Sequence, residues 1–225
     1  MQENTTQEYE KAIKYIYDLM QNGSLQVGSK LPAERIIAQE LGIGRNSTRE
    51  AISILSGMGL VDRIQGSGNY ISKNAGQSIR QTIIMMLALG SISKKDICGF
   101  RRTMEKSVCS LIIEKNVPKD RMDNLNKLLI KMQNLKGKRL SDTDREFHNE
   151  LIILTENNLL IIIMEAITEV YREWIDYVIK RADNDVREEL VECHKKIYLN
   201  IMQKDYDETF RAIDRHYDII EEMIE

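Results

Sequence analysis

Cysteine, proline and histidine are all scarce in this chain of 225 residues, and each scarcity excludes something. The cysteines are Cys98, Cys109 and Cys193, an odd number without C-x-x-C spacing, which suits buried reduced thiols and argues against a disulfide framework. From Ser78 to the end there is one proline, Pro118, so little interrupts helix formation there. Long apolar runs are missing as well. The longest, Ile83–Leu89 and Leu159–Met164, fall far short of the ~20 residues that cross a bilayer. The first residues carry Glu3, Glu8, Glu10, Lys11, Lys14 and Asp18 and no apolar core of signal-peptide length, so a cytoplasmic protein with no membrane partner is expected. A strong charge of one sign is the last absence. The net charge of −3 does not announce a nucleic-acid partner, and any DNA contact must come from a local arrangement.

What is present is apolar periodicity. Tyr9–Asn22 carries Ile13, Ile16, Tyr17 and Met20 on one helical face, and Asn22-Gly23 supplies the residue types that end a helix. Pro32 stands where a second helix can begin, and Gly42-Ile43-Gly44 ends it. Asn46 and Ser47 are N-cap candidates for a third helix, with Glu50 completing a capping-box pattern after Ser47 and Ala51, Ile52 and Leu55 on the inner face. Leu60–Ile64 and Asn69–Ile71 read as short strands joined by Gln65-Gly66-Ser67-Gly68. From Ser78 onward helical spacing recurs near 79–90, 95–116, 119–136, 141–156, 158–181, 185–203 and 206–224, about seven helices of an antiparallel bundle. The expected fold is therefore mainly α, a winged helix-turn-helix over 1–74 and an all-α domain over 75–225, with the boundary in polar Ser72–Gln77.

A helix-turn-helix offers the first turn of its second helix to the major groove, where arginine bonds guanine bidentately. Arg45, Asn46, Thr48 and Arg49 occupy that turn, with Arg45 and Arg49 on one side of the helix. Arg35 could reach backbone phosphate, and Gln65 and Gly66 lie at a hairpin tip small enough to approach DNA closely. The plainer reading of each arginine alone is a solvated surface charge. Paired reading helices one DNA turn apart, ~34 Å, would make a homodimer on two-fold double-stranded DNA.

All three histidines, His148, His194 and His216, fall in the C-terminal part. Asp144 and His148 are four residues apart and emerge from one helical face. A short connection near Lys204-Asp205 makes the last two helices antiparallel neighbours able to bring His194 and His216 inward. Three nitrogens and one carboxylate suit Zn2+ first, with Ni2+, Mn2+ or Co2+ as alternatives. A histidine in a bundle is also an ordinary packed residue.

Gly28-Ser29-Lys30-Leu31-Pro32-Ala33-Glu34-Arg35, Leu41 to Ala51, Gly59-Leu60-Val61 and Gly66-Ser67-Gly68-Asn69-Tyr70-Ile71 together resemble the GntR-family winged-helix signature. The resemblance implies that Arg35, Arg45, Arg49 and Gly66 contact operator DNA. Gly44 departs from a usual serine, and Asn46-Ser47-Thr48 from a more common threonine-proline-valine, changes that bear on operator preference. Asp144-Arg145-Glu146-Phe147-His148, with His194 and His216, resembles the FCD effector domain of the FadR-like branch. That resemblance implies a divalent metal on Asp144, His148, His194 and His216, and Arg101, followed by Glu105, gripping an effector carboxylate. The ligands' presence points away from the acyl-CoA-binding members and toward a small organic acid. The implied function is a DNA-binding transcription regulator, read as a repressor and not as an enzyme, whose operator affinity a carboxylate metabolite controls. Two alternatives stand beside it: a regulator whose metal is structural or is itself the signal, and a metal-dependent hydrolase drawing a base from Glu146, Glu150 or Glu192.

Overall fold

The computed structural model describes residues 2–74 and 76–224, with side chains from Glu8 onward. Among the described residues are ten helices and one two-stranded sheet, and the chain divides into two compact units, residues 1–79 and 80–225.

The first unit holds α1 (Gln2–Gln21), α2 (Glu34–Leu41), α3 (Arg45–Gly57), β1 (Val61–Ile64) and β2 (Gly68–Ile71). Helix α1 begins well before Tyr9, and its buried stripe is centred on Ala12 and Ile16, one turn apart, so Tyr17 faces outward instead of joining the core. Ala12 and Ile16 pack with Ile37, Ala51, Ile52, Leu55, Val61 and Ile71. Gly42 ends α2 in the left-handed conformation (φ 63°), which a residue without Cβ adopts cheaply, and its N–H bonds the Ala38 carbonyl. Gly44, not Asn46 or Ser47, is the N-cap of α3, so the expected capping box does not form.

The strands pair antiparallel from Val61↔Ile71 to Ile64↔Gly68, which leaves Gln65-Gly66-Ser67 as the loop. Gly66 takes φ 75° at its tip. The segment before α2 joins the outer edge of this hairpin: the Leu31 N–H donates to Asn69 O (2.8 Å) and the Ile71 N–H to Ser29 O (2.8 Å). Main-chain bonds thus tie the wing to the start of the helix-turn-helix, fixing one against the other without relying on flexible side chains.

The second region comprises α4 (Gly76–Ala88), α5 (Lys94–Glu114), α6 (Lys119–Met132), α7 (Lys138–Leu154), α8 (Asn158–Arg181), α9 (Asn184–Gln203) and α10 (Tyr206–Ile224), close to the seven expected segments. Ser93 and Asp96 form a reciprocal capping box on α5, while Asn157 and Asp183 cap α8 and α9. Between α9 and α10 the turn is only Lys204-Asp205, which forces the two helices antiparallel and side by side. The buried stripe of α5 runs Ile97, Cys98, Arg101, Glu105, Val108, Cys109 and Ile112, so one arginine and one glutamate are driven into an apolar core. Burying such charges is costly unless they are paired, so the interior must supply partners.

Candidate metal centre and nucleic-acid interface

Asp144 and His148 from α7, His194 from α9 and His216 from α10 meet in the bundle, all buried, with one ligand atom from each within 4.8 Å of the others. His194 Nε2 stands 3.0 Å from Asp144 Oδ1 and 3.1 Å from His148 Nε2. Nδ1 of His194 donates to the Leu190 carbonyl at 2.6 Å, which turns Nε2 toward the cluster. On His148, Nδ1 lies 2.6 Å from Glu105 Oε1, near enough for the carboxylate to hold the proton there although the N–H is not aligned with the oxygen. Burial disfavours a charge on the ring, but Glu105 and then Asp144 raise the His148 pKa above the ordinary histidine value.

Two imidazole nitrogens and a carboxylate oxygen thus converge, with His148 Nε2 3.8 Å from Asp144 Oδ1 and His194 Nε2 nearer to both. Neutral imidazoles and an ionised carboxylate in this arrangement offer lone pairs that one buried cation can gather. Neither ring nitrogen of His216 finds a partner, although the residue is buried. Burial, then the neighbouring His194 and His148, push its pKa well below the ordinary histidine range, which keeps it neutral as a metal ligand must be. The donor set fits a divalent metal of the zinc type on these grounds.

Glu105 is the group that sequence reasoning undervalued, reading it only as the partner of Arg101. Burial alone would raise its pKa, but His148 and Arg101 hold it down to about 2, so it stays ionised behind the cluster. Its signal was available as an acid on the apolar stripe of α5, four residues from an arginine. Arg101 is itself buried, its guanidinium 3.6 Å from Glu105 and over the Tyr171 ring at 4.6 Å from the ring centroid. It shares a cleft with Asp144, Thr168, Arg145 and Arg172. The space within it is about 10 Å³, room for about one water. Glu146 and Glu192, two of the three acids considered as bases for hydrolysis, are exposed and so do not share the buried site.

On the winged-helix unit Arg35, Arg45, Asn46 and Arg49 are exposed, as are Gln65 and Gly66 at the hairpin tip. Thr48, expected on the same surface, is fully buried; its Oγ1 donates to Gly44 O at 3.3 Å and does not face solvent. The reason is helical phase: Thr48 lies in the middle of the face that buries Ala51, Ile52 and Leu55, while Arg45, at the first turn, and Arg49 lie at its exposed margin. Arg49 Nε is 3.2 Å from Glu34 Oε2. Arg63 on β1, not singled out from sequence, donates through Nη1 to Ser53 Oγ of α3 at 3.0 Å and so places another exposed cation beside that helix.

A winged helix-turn-helix followed by an all-α domain is the architecture of a DNA-binding regulator. Comparison with known proteins agrees: the model for "Bacterial regulatory proteins, gntR family" matches residues 8–71, and that for the "FCD domain" matches residues 96–219. The chain belongs to the GntR family of transcription regulators and carries an FCD domain; it is not an enzyme. The HTH-type transcriptional regulator YcbG of Bacillus subtilis strain 168 is 29% identical over 213 residues, covering 95% of this chain and 85% of that protein. LutR, an HTH-type transcriptional regulator of the same strain, is 25% identical over 216 residues, covering 92% of this chain and 96% of LutR. Among solved structures, a GntR protein of Streptococcus agalactiae shares the fold at TM-score 0.72 and 22% identity, covering 95% of this chain and 99% of that one. No helix among the described residues is long and apolar enough to cross a membrane.

Proposed function

We propose that this regulator is a cytoplasmic homodimer acting as a repressor, and that a small carboxylate metabolite, bound at a divalent metal in the FCD domain, controls its grip on operator DNA. The observation that carries the reading is the convergence of Asp144, His148, His194 and His216 in one buried cluster, with a ligand atom from each within 4.8 Å of the others. Zn2+ suits the ligand set best; these four residues would hold it, and it would supply open coordination positions for hard carboxylate oxygens. Glu105 orients His148 from behind, and Arg101 meets the anion from the neighbouring cleft. That cleft has room for a water and not for a metabolite, so a larger ligand would need α5, α7 and α8 to move apart. This movement is the differential interaction through which a ligand shifts an equilibrium.

Glu105→Gln tests the supporting shell. It keeps the volume and removes the charge that holds the His148 proton, and metal affinity is expected to fall about 10–100-fold with the fold intact. Competition with a chelating dye reads this directly; unchanged affinity would leave Glu105 as a partner of Arg101 alone.

For DNA contact the support is the shared exposed face of Arg45, Asn46 and Arg49 beside Arg35 and the hairpin tip of Gln65 and Gly66. A second copy of the chain is the proposed cover for α4. Ile83 and Leu87 touch the core, but Ile84, Met85, Met86 and Leu89 stay exposed, and a helix of 13 residues is marginal in water without packing. Met85→Glu is expected to shift sedimentation from dimer toward monomer and to weaken binding to a two-fold duplex. A wild-type protein that sediments as a monomer and binds a single half-site with full affinity would remove the dimer from this reading.

A further inference from the structure

Helix α3 starts without a cap of its own. Gly44, its N-cap residue, has no side chain to accept a hydrogen bond. The leading N–H groups of a helix nevertheless need acceptors, and the positive end of the helix dipole favours an anion. Both demands are met from 36 residues upstream, where Glu8 of α1 accepts the Gly44 N–H through Oε2 at 3.2 Å. The same oxygen accepts from Ser47 Oγ at 2.8 Å, which turns Ser47 inward, away from the capping role its sequence position suggested. These two bonds, Ser47 first, hold the Glu8 carboxyl below the usual range.

We propose that Glu8 is a positioning residue for DNA reading: a cap donated by α1 that fixes the first turn of α3, from which Arg45, Asn46 and Arg49 project. The proposal rests on α3 being the reading helix. It explains how a glycine serves at the head of that helix, since the anion lost from the cap position is supplied by another element. The backbone at Gly44 is ordinary extended chain, φ −67° and ψ 144°, open to any residue. A Cβ there would lie 3.5 Å from Glu8 Oε2 and 3.6 Å from Ser47 Oγ, normal contact distances. Gly44→Ser can therefore restore a local cap when Glu8 is removed, without straining the chain.

The test uses the full-length protein and a duplex that the wild type selects from a random-sequence pool, with affinity read by fluorescence anisotropy. Glu8→Ala is expected to weaken the selected duplex about tenfold, equivalent to ~1.4 kcal/mol, while binding to the unselected pool stays the same. Adding Gly44→Ser to Glu8→Ala should bring affinity back to within about twofold of wild type. Tyr15→Phe, which removes the hydrogen bond from Tyr15 of α1 to Glu40 on α2, should change nothing and so controls for general loosening of α1. If Glu8→Ala proves too unstable to purify, Glu8→Gln, which keeps an acceptor but loses the charge, carries the comparison and should fall between. Unaltered affinity in Glu8→Ala, failure of Gly44→Ser to restore it, or tighter binding of every duplex would each overturn the proposal; the last would make Glu8 an electrostatic brake. Arg45→Ala in the same assay separates the two layers. If it binds as wild type, the placement of α3 fails; if it loses binding while Glu8→Ala does not, only the role of Glu8 fails.

Discussion

His194→Ala is expected to empty the metal centre, taking the bound ion from about one per chain to near none and abolishing any response of operator affinity to the carboxylate ligand. The size of the effect follows from the position of the residue. His194 Nε2 is within 3.1 Å of both His148 and Asp144, so its loss removes the atom that links the α7 ligands to α10. Binding of operator by the ligand-free protein should persist, because the ligand acts only through its preference between two arrangements of the helices. Removing a buried ring also leaves a cavity, so Asp144→Asn, nearly the same size but uncharged, provides a second route to the same outcome. Elemental analysis gives the stoichiometry; mass spectrometry of co-purified small molecules gives the ligand, and operator binding with and without it gives the coupling. A His194→Ala protein that retains both its ion and its ligand response would reduce the three histidines to core residues.

The second large effect is expected at the DNA face. Arg45→Ala and Arg49→Ala should each abolish sequence-specific binding while the helical circular-dichroism signal is unchanged, since both side chains are exposed and carry no core packing. A bidentate base contact is worth about 1–3 kcal/mol, and a two-fold complex uses each arginine twice, so the loss is about 2–6 kcal/mol, roughly thirtyfold to more than ten-thousandfold in affinity. Arg49 must first leave Glu34, but a solvent-exposed ion pair of this kind contributes at most ~1 kcal/mol and is readily exchanged for DNA. Arg35→Ala should behave differently, weakening all duplexes alike and lowering the salt dependence, as a phosphate contact does. A selected operator bound equally well by Arg45→Ala would show that another element reads the bases.

Helical periodicity was legible in the sequence, although its phase was misread at Tyr17 and Thr48, the one exposed and the other buried. The seven C-terminal segments and the hairpin could be placed because period 3.6 and period 2 are properties of neighbouring residues. The same logic, applied more strictly, would have excluded Thr48 from the DNA face: it lies three residues before Ala51 and four before Ile52, on the face that packs. Ser47 is different. As a cap candidate it was locally reasonable, and only the presence of the Glu8 carboxylate turned it inward.

Asp144 and His148 share a face because four residues make about one helical turn, and Lys204-Asp205 is too short to do anything but fold α10 back on α9; these relations, with the order of elements, were determined by the sequence alone. Tertiary structure decided the rest. That Glu105 of α5 stands behind His148 of α7, that the cleft beside Arg101 is narrowed to about 10 Å³, and that α1 supplies the cap of α3 all depend on side chains distant in sequence meeting in space. Periodicity says which way a residue points from its own helix, but not what the opposing helix places in front of it, because that depends on the packing of the whole domain.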